Sequence, residues 1–291
     1  MTVEQGNAGA LERQAEPAGL LGADAYAPKE IAARVEAIGV TKARLPLLTQ
    51  AVLGVLAGGF IGLGALYFTV VTSDPRMNVV AARTLGGVVF SLGLILVVVA
   101  GAELFTGNNL MVMAWVARRI TTGELARNLA LVYAANLAGA VGLALLVALS
   151  GHWRLNGDAV GLQAVRIAAA KTALPSSEAF FRAVLCNILV CLAVWLALAG
   201  RSVADKVLAI VFPISAFVAA GFEHSIANMY FIPLGIILRD RVDTAGVVGL
   251  DTLDGAGFLR NLVPVTAGNL FGGAVMVALV YYIVYRWRQS G

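Results

Sequence analysis

Two short polar stretches decide the fold: Gly101-Ala-Glu-Leu-Phe-Thr-Gly-Asn108 and Gly221-Phe-Glu-His-Ser-Ile-Ala-Asn228. Each interrupts an apolar run, residues 84–117 in the first case and 205–238 in the second. Both runs are too long for one simple membrane crossing. Glycine and polar residues inside long apolar runs are typical of helices that break within a membrane. The two stretches also match each other through Gly, Glu and Asn at an offset of 120 residues, which predicts that they have equivalent roles.

The composition indicates that most of the chain lies in a bilayer. Of the 291 residues, 59% are hydrophobic and 13% are charged, and the mean hydropathy is +0.84. Soluble proteins carry about 25% charged residues. The net charge of +4 does not indicate nucleic acid, because Lys and Arg are dispersed among short loops. Crossing the hydrocarbon takes about 20 apolar residues. Six runs predict an all-α integral membrane protein with six transmembrane helices: residues 46–72, 84–117, 126–150, 179–199, 205–238 and 262–286.

A second internal match extends the first. Val132-Tyr-Ala-Ala-Asn-Leu-Ala-Gly139 shares Val, Ala, Asn, Leu and Gly with Val265-Thr-Ala-Gly-Asn-Leu-Phe-Gly272, at an offset of 133 residues. Two matches in the same order predict two copies of a three-helix unit, at about residues 46–150 and 179–288. Because three is an odd number, the second copy enters the membrane from the opposite side, which makes an inverted repeat.

The N-terminal part of the chain differs from the apolar remainder. Residues 1–27 are predicted to be a mobile cytoplasmic tail. Residues 28–45 are predicted to form an amphipathic helix on the cytoplasmic surface, with a plain surface helix as the alternative. Residues 46–288 form the predicted six-helix pore domain. Lys and Arg lie close to helix ends in the shorter loops, which predicts that both termini are cytoplasmic.

The broken helices predict the chemical class of the substrate. The second half-helix of each pair is expected to start near Asn108 and near Ser225 to Asn228. Each start would present free N–H groups and the positive end of a helix dipole. Two such ends that converge at mid-membrane suit an anion, so the sequence predicts a path for a small monovalent anion.

His224 lies inside the second interruption, beside Glu223. A lone histidine on an apolar helix is usually a satisfied core residue, but an ionisable residue within a membrane is a functional-site candidate. We expect His224 to donate a hydrogen bond, and a proton, to the passing anion. Thr106 lies in the first interruption, where its hydroxyl contacts the anion or His224, or else bonds locally to the helix end.

Glu103 and Glu223 carry the wrong charge for an anion path. An ionised carboxylate would repel the substrate, so we expect both to face away from the pore. There they would accept hydrogen bonds from the interrupted backbone, with a direct role in transport as the alternative. Asn108 and Asn228 close the same two stretches and are expected to serve the same structural purpose.

Several other residues have two open interpretations. Asn187, in the fourth run, either lines the inner vestibule or bonds one helix to another. Lys171, between the third and fourth runs, either attracts anions to the mouth or is a solvated loop charge. By composition alone, Phe90 and Phe217 are core residues. The sequence has no Cys or His cluster for a metal, no phosphate loop and no nucleophile turn, so neither a cofactor nor an enzyme is predicted.

Three segments resemble the formate/nitrite transporter family. They are Ala220-Gly-Phe-Glu-His-Ser-Ile-Ala-Asn-Met229, Cys186-Asn-Ile-Leu-Val-Cys-Leu-Ala-Val-Trp195 and Val263-Pro-Val-Thr-Ala-Gly-Asn-Leu-Phe-Gly272. The resemblance covers about residues 28–288. It implies an aquaporin-like fold that assembles as a homopentamer, with one pore in each subunit.

The same resemblance implies roles for individual residues. It implies that His224 is the central pore histidine, that Thr106 lies in the loop that breaks the second helix, and that the N-terminal helix gates the pore with pH. The residues implied for the rest of the path are Phe90 and Phe217 at the outer constriction, Leu94 and Leu104 at the inner one with Asn187 nearby, and Lys171 at the outer vestibule.

The substrate implied by the resemblance is formate. Phe222 and the segment Met229-Tyr-Phe-Ile-Pro233 resemble formate channels more than nitrite channels. A proton-coupled formate channel in a bacterial-type inner (plasma) membrane is therefore expected, with nitrite or hydrosulfide as alternative anions. A neutral-solute channel of the aquaporin kind is the alternative from another class, although the Asn-Pro-Ala repeats expected there are absent.

Overall fold

The computed structural model describes residues 25–287, which form ten helices and two single-turn 3-10 helices, His152–Arg154 and Leu250–Thr252. Most of the predicted N-terminal tail lies outside these described residues. The helices are α1 Pro28–Ala43, α2 Leu47–Thr72, α3 Val79–Gly101, α4 residues 105–116, α5 Thr122–Ser150, α6 Ala159–Thr172, α7 Ser176–Ala199, α8 Val203–Ala219, α9 Ser225–Leu238 and α10 Gly255–Tyr285.

Five helices are long and apolar enough to cross a membrane, namely α2, α3, α5, α7 and α10, so the chain is a multi-pass membrane protein. The fifth predicted run, residues 205–238, does not form one long helix. It forms α8, with 17 residues, and α9, with 14, which are separated by residues 220–224. The second run is divided in the same way, because α3 ends at Gly101 and α4 begins at Phe105.

The long helices approach each other closely through glycine. A Cβ atom added to Gly58 of α2 would collide with the backbone of Asn136 in α5. A Cβ atom added to Gly268 of α10 would collide with the backbone of Phe180 in α7. Small residues at such contacts let helix backbones come together inside a membrane. The pairs α2–α5 and α7–α10 therefore form two similar frameworks, one around each interruption.

The sequence analysis expected only a connection between the third and fourth runs, but α6 forms there. Gly235 of α9 lies against Ala168 of α6, where an added Cβ would collide with the alanine side chain. The helix has 14 residues, which is shorter than a membrane crossing requires, so a search for long apolar runs does not find it. It brings Lys171 close to the second interruption.

The N-terminal helix α1 was predicted to be amphipathic and to lie on the cytoplasmic surface. Its apolar side chains Ile31 and Val35 are buried within the protein, in a cluster with Trp195 and Met113. The apolar face of α1 therefore packs against other helices of the same chain.

A buried carboxylate also attaches α1 to its neighbours. Glu36 is 3% exposed and accepts hydrogen bonds from Arg119 Nη1 at 3.0 Å and from Arg286 Nε at 2.9 Å. The two arginines come from the segment after α4 and from the end of α10. One carboxylate therefore joins three parts of the chain that are distant in sequence.

Candidate functional site

Both interruptions begin with a glycine in the left-handed region. Gly101 has φ +88° and Gly221 has φ +71°, a conformation that side chains with a Cβ rarely adopt. Leu104 and His224, which immediately precede α4 and α9, are extended. The start of α9 at Ser225 agrees with the sequence analysis, whereas α4 begins at Phe105, three residues before the expected position.

The backbone of the first interruption is bonded by a single carboxamide. Asn136 Oδ1 accepts the N–H of Phe105 at 3.0 Å. Its Nδ2 donates to the carbonyl of Glu103 at 2.9 Å and to that of Gly54 at 2.7 Å. Asn136 is fully buried, so these bonds supply partners that water does not.

The second interruption is bonded in the same way by Asn269. Its Oδ1 accepts the N–H of Ser225 at 2.9 Å, and its Nδ2 donates to the carbonyls of Glu223 at 3.0 Å and Ala183 at 2.8 Å. The sequence analysis expected free N–H groups at both helix starts. The first N–H of each helix is instead occupied by an asparagine, which leaves fewer backbone donors for an anion.

The two carboxylates have lysine and asparagine partners. They were expected to accept from the interrupted backbone, but Glu103 accepts from Lys42 Nζ at 2.7 Å and from Asn108 Nδ2 at 2.7 Å. Glu223 accepts from Lys171 Nζ at 2.8 Å and from Asn228 Nδ2 at 2.6 Å. A solvated loop charge does not describe Lys171, because its side chain is only 14% exposed and is paired with Glu223.

Two further asparagines complete these networks. Asn128 Oδ1 accepts from Asn108 at 2.9 Å, and Asn261 Oδ1 accepts from Asn228 at 2.7 Å. Their Nδ2 groups donate to the carbonyls of Lys42 and Lys171 respectively.

A further repeated pattern in the sequence relates the lysine and asparagine partners of the two interruptions. A Lys-x-x-Leu-Pro pattern occurs at residues 42–46 and again at 171–175. Asn128 and Asn261 each precede the matched asparagines, Asn136 and Asn269, by eight residues. The internal match therefore extends further than the two stretches first compared.

A direct contact joins the two interruptions. Thr106 Oγ1 lies 3.0 Å from His224 Nε2, and both residues are buried. His224 Nδ1 accepts the N–H of Ala227 at 3.1 Å, so the neutral ring carries its proton on Nε2 and donates it to Thr106. The Thr106 hydroxyl thus contacts His224, which is one of the interactions expected for it.

The inner side of this contact is polar and tightly enclosed. Asn187 Nδ2 donates to the carbonyls of Asn269, at 2.7 Å, and of Thr106, at 3.3 Å, so this side chain bonds helices together. Cys191 Sγ also approaches the Thr106 carbonyl, at 3.4 Å. Asn187 Oδ1 and Ser225 Oγ are buried and have no partner among the described residues. Asn109, whose Nδ2 donates to the same Asn269 carbonyl as Asn187, also has a buried Oδ1 without a partner there.

A cavity of about 470 Å³ leads towards His224 from the side of residues 73–77. Phe90 and Phe217 line it, with their ring centroids 5.7 Å apart in an edge-to-face arrangement. The Phe217 ring also stacks on the His224 ring at 5.9 Å. Leu94 and Leu104 are each 2% exposed and do not line this cavity. The site thus combines a cavity, an aromatic pair and a histidine.

Among the described residues, no group of three or more His, Cys, Asp or Glu side chains is placed to hold a metal ion. The fold and site define a multi-pass membrane protein in which interrupted helices bring a histidine and a threonine together at the end of a cavity. Residues 29–283 match the formate/nitrite transporter family, and the chain belongs to that family. The resemblance found in its three segments is therefore confirmed.

Relatives align along nearly their whole length. The formate channel FocA of Escherichia coli (strain K12) is 41% identical over 271 residues, which are 90% of this chain and 95% of the relative. The probable formate transporter of Methanothermobacter thermautotrophicus is 40% identical over 282 residues, which are 91% and 99% of the two chains.

Two solved structures share the fold. A pentameric formate channel with formate bound has a TM-score of 0.76 at 37% identity, covering 82% of this chain and 97% of that one. An FNT family ion channel has a TM-score of 0.76 at 32% identity, covering 88% and 98%. The expectation of transport rather than enzymatic catalysis agrees with all of these relatives.

Proposed function

We propose that this protein is a formate channel whose central element is the contact between Thr106 and His224. The observation that carries the proposal is the 3.0 Å approach of these two side chains at the inner end of the cavity. The relatives named for formate transport align over about nine-tenths of the chain, which supports formate as the substrate.

We infer that the pore is built from an inverted repeat of six membrane-spanning helices, with the second and fifth broken at mid-membrane. The matching networks around Glu103 and Glu223 support this arrangement. A flanking helix, α1 or α6, precedes each three-helix copy and carries in its last turn the lysine that pairs with the carboxylate of that copy. The pore domain is residues 46–288, preceded by the helix at 28–45, and five subunits assemble in a bacterial-type inner membrane with both termini cytoplasmic.

The path for the anion follows from the cavity. Formate enters the cavity and meets the outer constriction of Phe90 and Phe217. It then reaches His224, whose Nε2–H donates a hydrogen bond to the carboxylate while the Thr106 hydroxyl turns to the same oxygen. Proton transfer requires the ring to take up a second proton at Nδ1 from water of the cavity, in place of the bond from the Ala227 N–H. The imidazolium then gives its Nε2 proton to formate and returns to the neutral form, and formic acid crosses the apolar inner constriction of Leu94 and Leu104 without charge. Asn187 borders this inner side.

The carboxylates do not oppose this passage, since each is neutralised. Glu103 and Glu223 are paired with lysines at 2.7 and 2.8 Å, and the asparagines hold the remaining oxygens. A paired buried carboxylate presents little net field to a passing anion. Their role is to hold the interruptions open, together with Asn108 and Asn228.

The test is flux into proteoliposomes of the purified protein, with formate, nitrite, hydrosulfide and glycerol compared across a pH series. Formate uptake that steepens at low pH is expected, because transport coupled to a proton depends on proton supply. Nitrite and hydrosulfide are the competing small anions, and preferential uptake of either would replace formate. Glycerol uptake without any anion uptake would assign the chain to neutral-solute channels and refute the anion pathway.

A further inference from the structure

The cavity outside the phenylalanine pair carries an excess of positive charge. Its charged lining residues are Arg83, Arg166, Lys171, Arg182, Asp74 and Glu223. A concave site lined by one sign of charge attracts ions of the opposite sign and raises their local concentration. Only charges that have no partner of opposite sign contribute fully to this attraction.

Most of the charges around the cavity are paired. Charged partners lie within 3.0 Å of each other in the pairs Lys171–Glu223, Arg182–Glu178 and Arg76–Asp74. Side-chain and backbone hydrogen bonds from Arg76 hold the pKa of Asp74 below its usual range, so this carboxylate is ionised and already engaged. Lys171, which was considered as an attractor of anions, is likewise engaged by Glu223.

Arg83 and Arg166 are the basic lining residues without a carboxylate partner in the described part of the chain. Arg83 Nη1 donates to the carbonyl of Ala219, at 3.3 Å, at the end of α8. The same nitrogen lies 2.8 Å from the position that a Cβ on Gly221 would take, so the guanidinium covers the start of the second interruption. Arg166 lies on α6, and no hydrogen bond or ion pair engages it among residues 25–287.

We propose that Arg83 and Arg166 form an anion-recruiting site that concentrates small carboxylates in the cavity before they reach Phe90 and Phe217. The guanidinium group is planar, is always charged and matches the geometry of a carboxylate, so it suits this ligand class. Arg166 keeps all its donors available, and Arg83 has used one. This inference rests on the proposed function, since it concerns how the transported anion arrives.

The test variant carries both Arg83→Gln and Arg166→Gln. The matched control variant carries both Arg154→Gln and Arg260→Gln. The control removes the same charge from two exposed positions that do not line the cavity. Initial formate uptake into proteoliposomes is measured over a range of formate concentrations, at low and at high ionic strength. At low ionic strength the half-saturating concentration should rise about fivefold in the test variant, with the maximal rate unchanged. At high ionic strength the difference should shrink, because salt screens exposed charges.

The outcomes separate this inference from the proposed function. If the wild-type protein takes up formate and the test variant has an unchanged half-saturating concentration, the recruiting site is overturned and the proposed function stands. If the wild-type protein takes up no formate, the proposed function itself fails. A variant with Arg83→Lys and Arg166→Lys keeps both charges but loses the planar guanidinium, so its half-saturating concentration should lie between those of wild type and the Gln variant and should still depend on ionic strength. A Lys variant that matches the Gln variant at both ionic strengths would show that the charges do not recruit formate and would overturn the site.

Discussion

Thr106 and His224 belong to different interruptions, 118 residues apart in sequence, yet their side chains meet at 3.0 Å. The contact is possible because Asn136 and Asn269 hold the backbone of the two interruptions in matching conformations. His224 receives an N–H at Nδ1 from its own helix, which directs the Nε2 proton at Thr106. The orientation of the histidine is thus determined from both sides.

Replacing Thr106 by valine should reduce formate uptake about tenfold, while replacement by serine should retain most of it. Valine removes the hydroxyl that accepts from His224 and leaves a buried N–H without a partner, at a cost of about 1–3 kcal/mol. Serine keeps the hydroxyl. Uptake rates of the two variants in proteoliposomes test this, and loss in the serine variant with retention in the valine variant would show that the methyl group, not the hydroxyl, is required.

Replacing His224 by asparagine should preserve the fold but abolish the dependence of formate uptake on pH. Asparagine donates and accepts hydrogen bonds but does not titrate in this range, so only the protonation step is lost. Uptake is measured at pH values from about 5 to about 8. Size-exclusion profiles are the control for assembly. A variant with the wild-type pH profile would rule out a proton relay at this residue.

Shortening both Phe90 and Phe217 to alanine should admit larger anions. The rings pack edge to face at 5.7 Å, and their removal would open a passage from the cavity to His224. Uptake of acetate and lactate relative to formate should rise in the double variant. An unchanged ratio, in a variant that still transports formate, would mean that these rings are core residues without a part in selection.

Replacing Asn269 by alanine should destabilise the protein strongly. The N–H of Ser225 and the carbonyls of Ala183 and Glu223 would lose their buried partner. A loss of about 3 kcal/mol corresponds to a fall of about 6–12 °C in Tm. Thermal unfolding in detergent is the measurement, and Thr84→Ala, at an exposed position, is the control. A fall of less than about 2 °C would contradict the role assigned to Asn269.

Replacing Glu36 by glutamine should loosen α1. The change removes the charge that Arg119 and Arg286 share, so the helix loses two charge-assisted hydrogen bonds. Amide hydrogen exchange over residues 28–43 should become faster, whereas exchange in α5 should not change. Lys29→Gln alters an exposed charge on the same helix and serves as the control. Equal exchange in both variants would show that apolar burial of Ile31 and Val35 suffices to hold α1.

The sequence predicted the long helices and the polar stretches because both depend on local composition. A run of about 20 apolar residues identifies a membrane helix, and the two quoted stretches do contain the starts of α4 and α9. The sequence analysis missed the helix α6 and the burial of the apolar face of α1. Both helices are shorter than a membrane crossing, so a search for long apolar runs does not detect them. Their positions depend on contacts such as Gly235 against Ala168, which join residues distant in sequence.

The residues of the candidate site were easier to predict than their partners. His224 and Glu223 are conspicuous because ionisable groups are rare in apolar runs. Lys42 is inconspicuous, because lysine near a helix end is common, and only the three-dimensional structure brings it to Glu103. Asn128 and Asn261 are inconspicuous in the same way, and only the three-dimensional structure brings them to Asn108 and Asn228. The buried pairing of each carboxylate also explains why the expected bonds to the backbone are absent.

The lysine at the end of α1 has a consequence for where the chain can be shortened. A protein that began at Leu47 would retain every long apolar helix, and by hydropathy it would look complete. It would nevertheless lose Lys42, whose Nζ lies 2.7 Å from the Glu103 carboxylate, and leave that group with Asn108 as its hydrogen-bond partner. An uncompensated buried charge costs several kcal/mol. The N-terminal helix is therefore an integral part of the transport unit, and its removal would destabilise the interior of the protein.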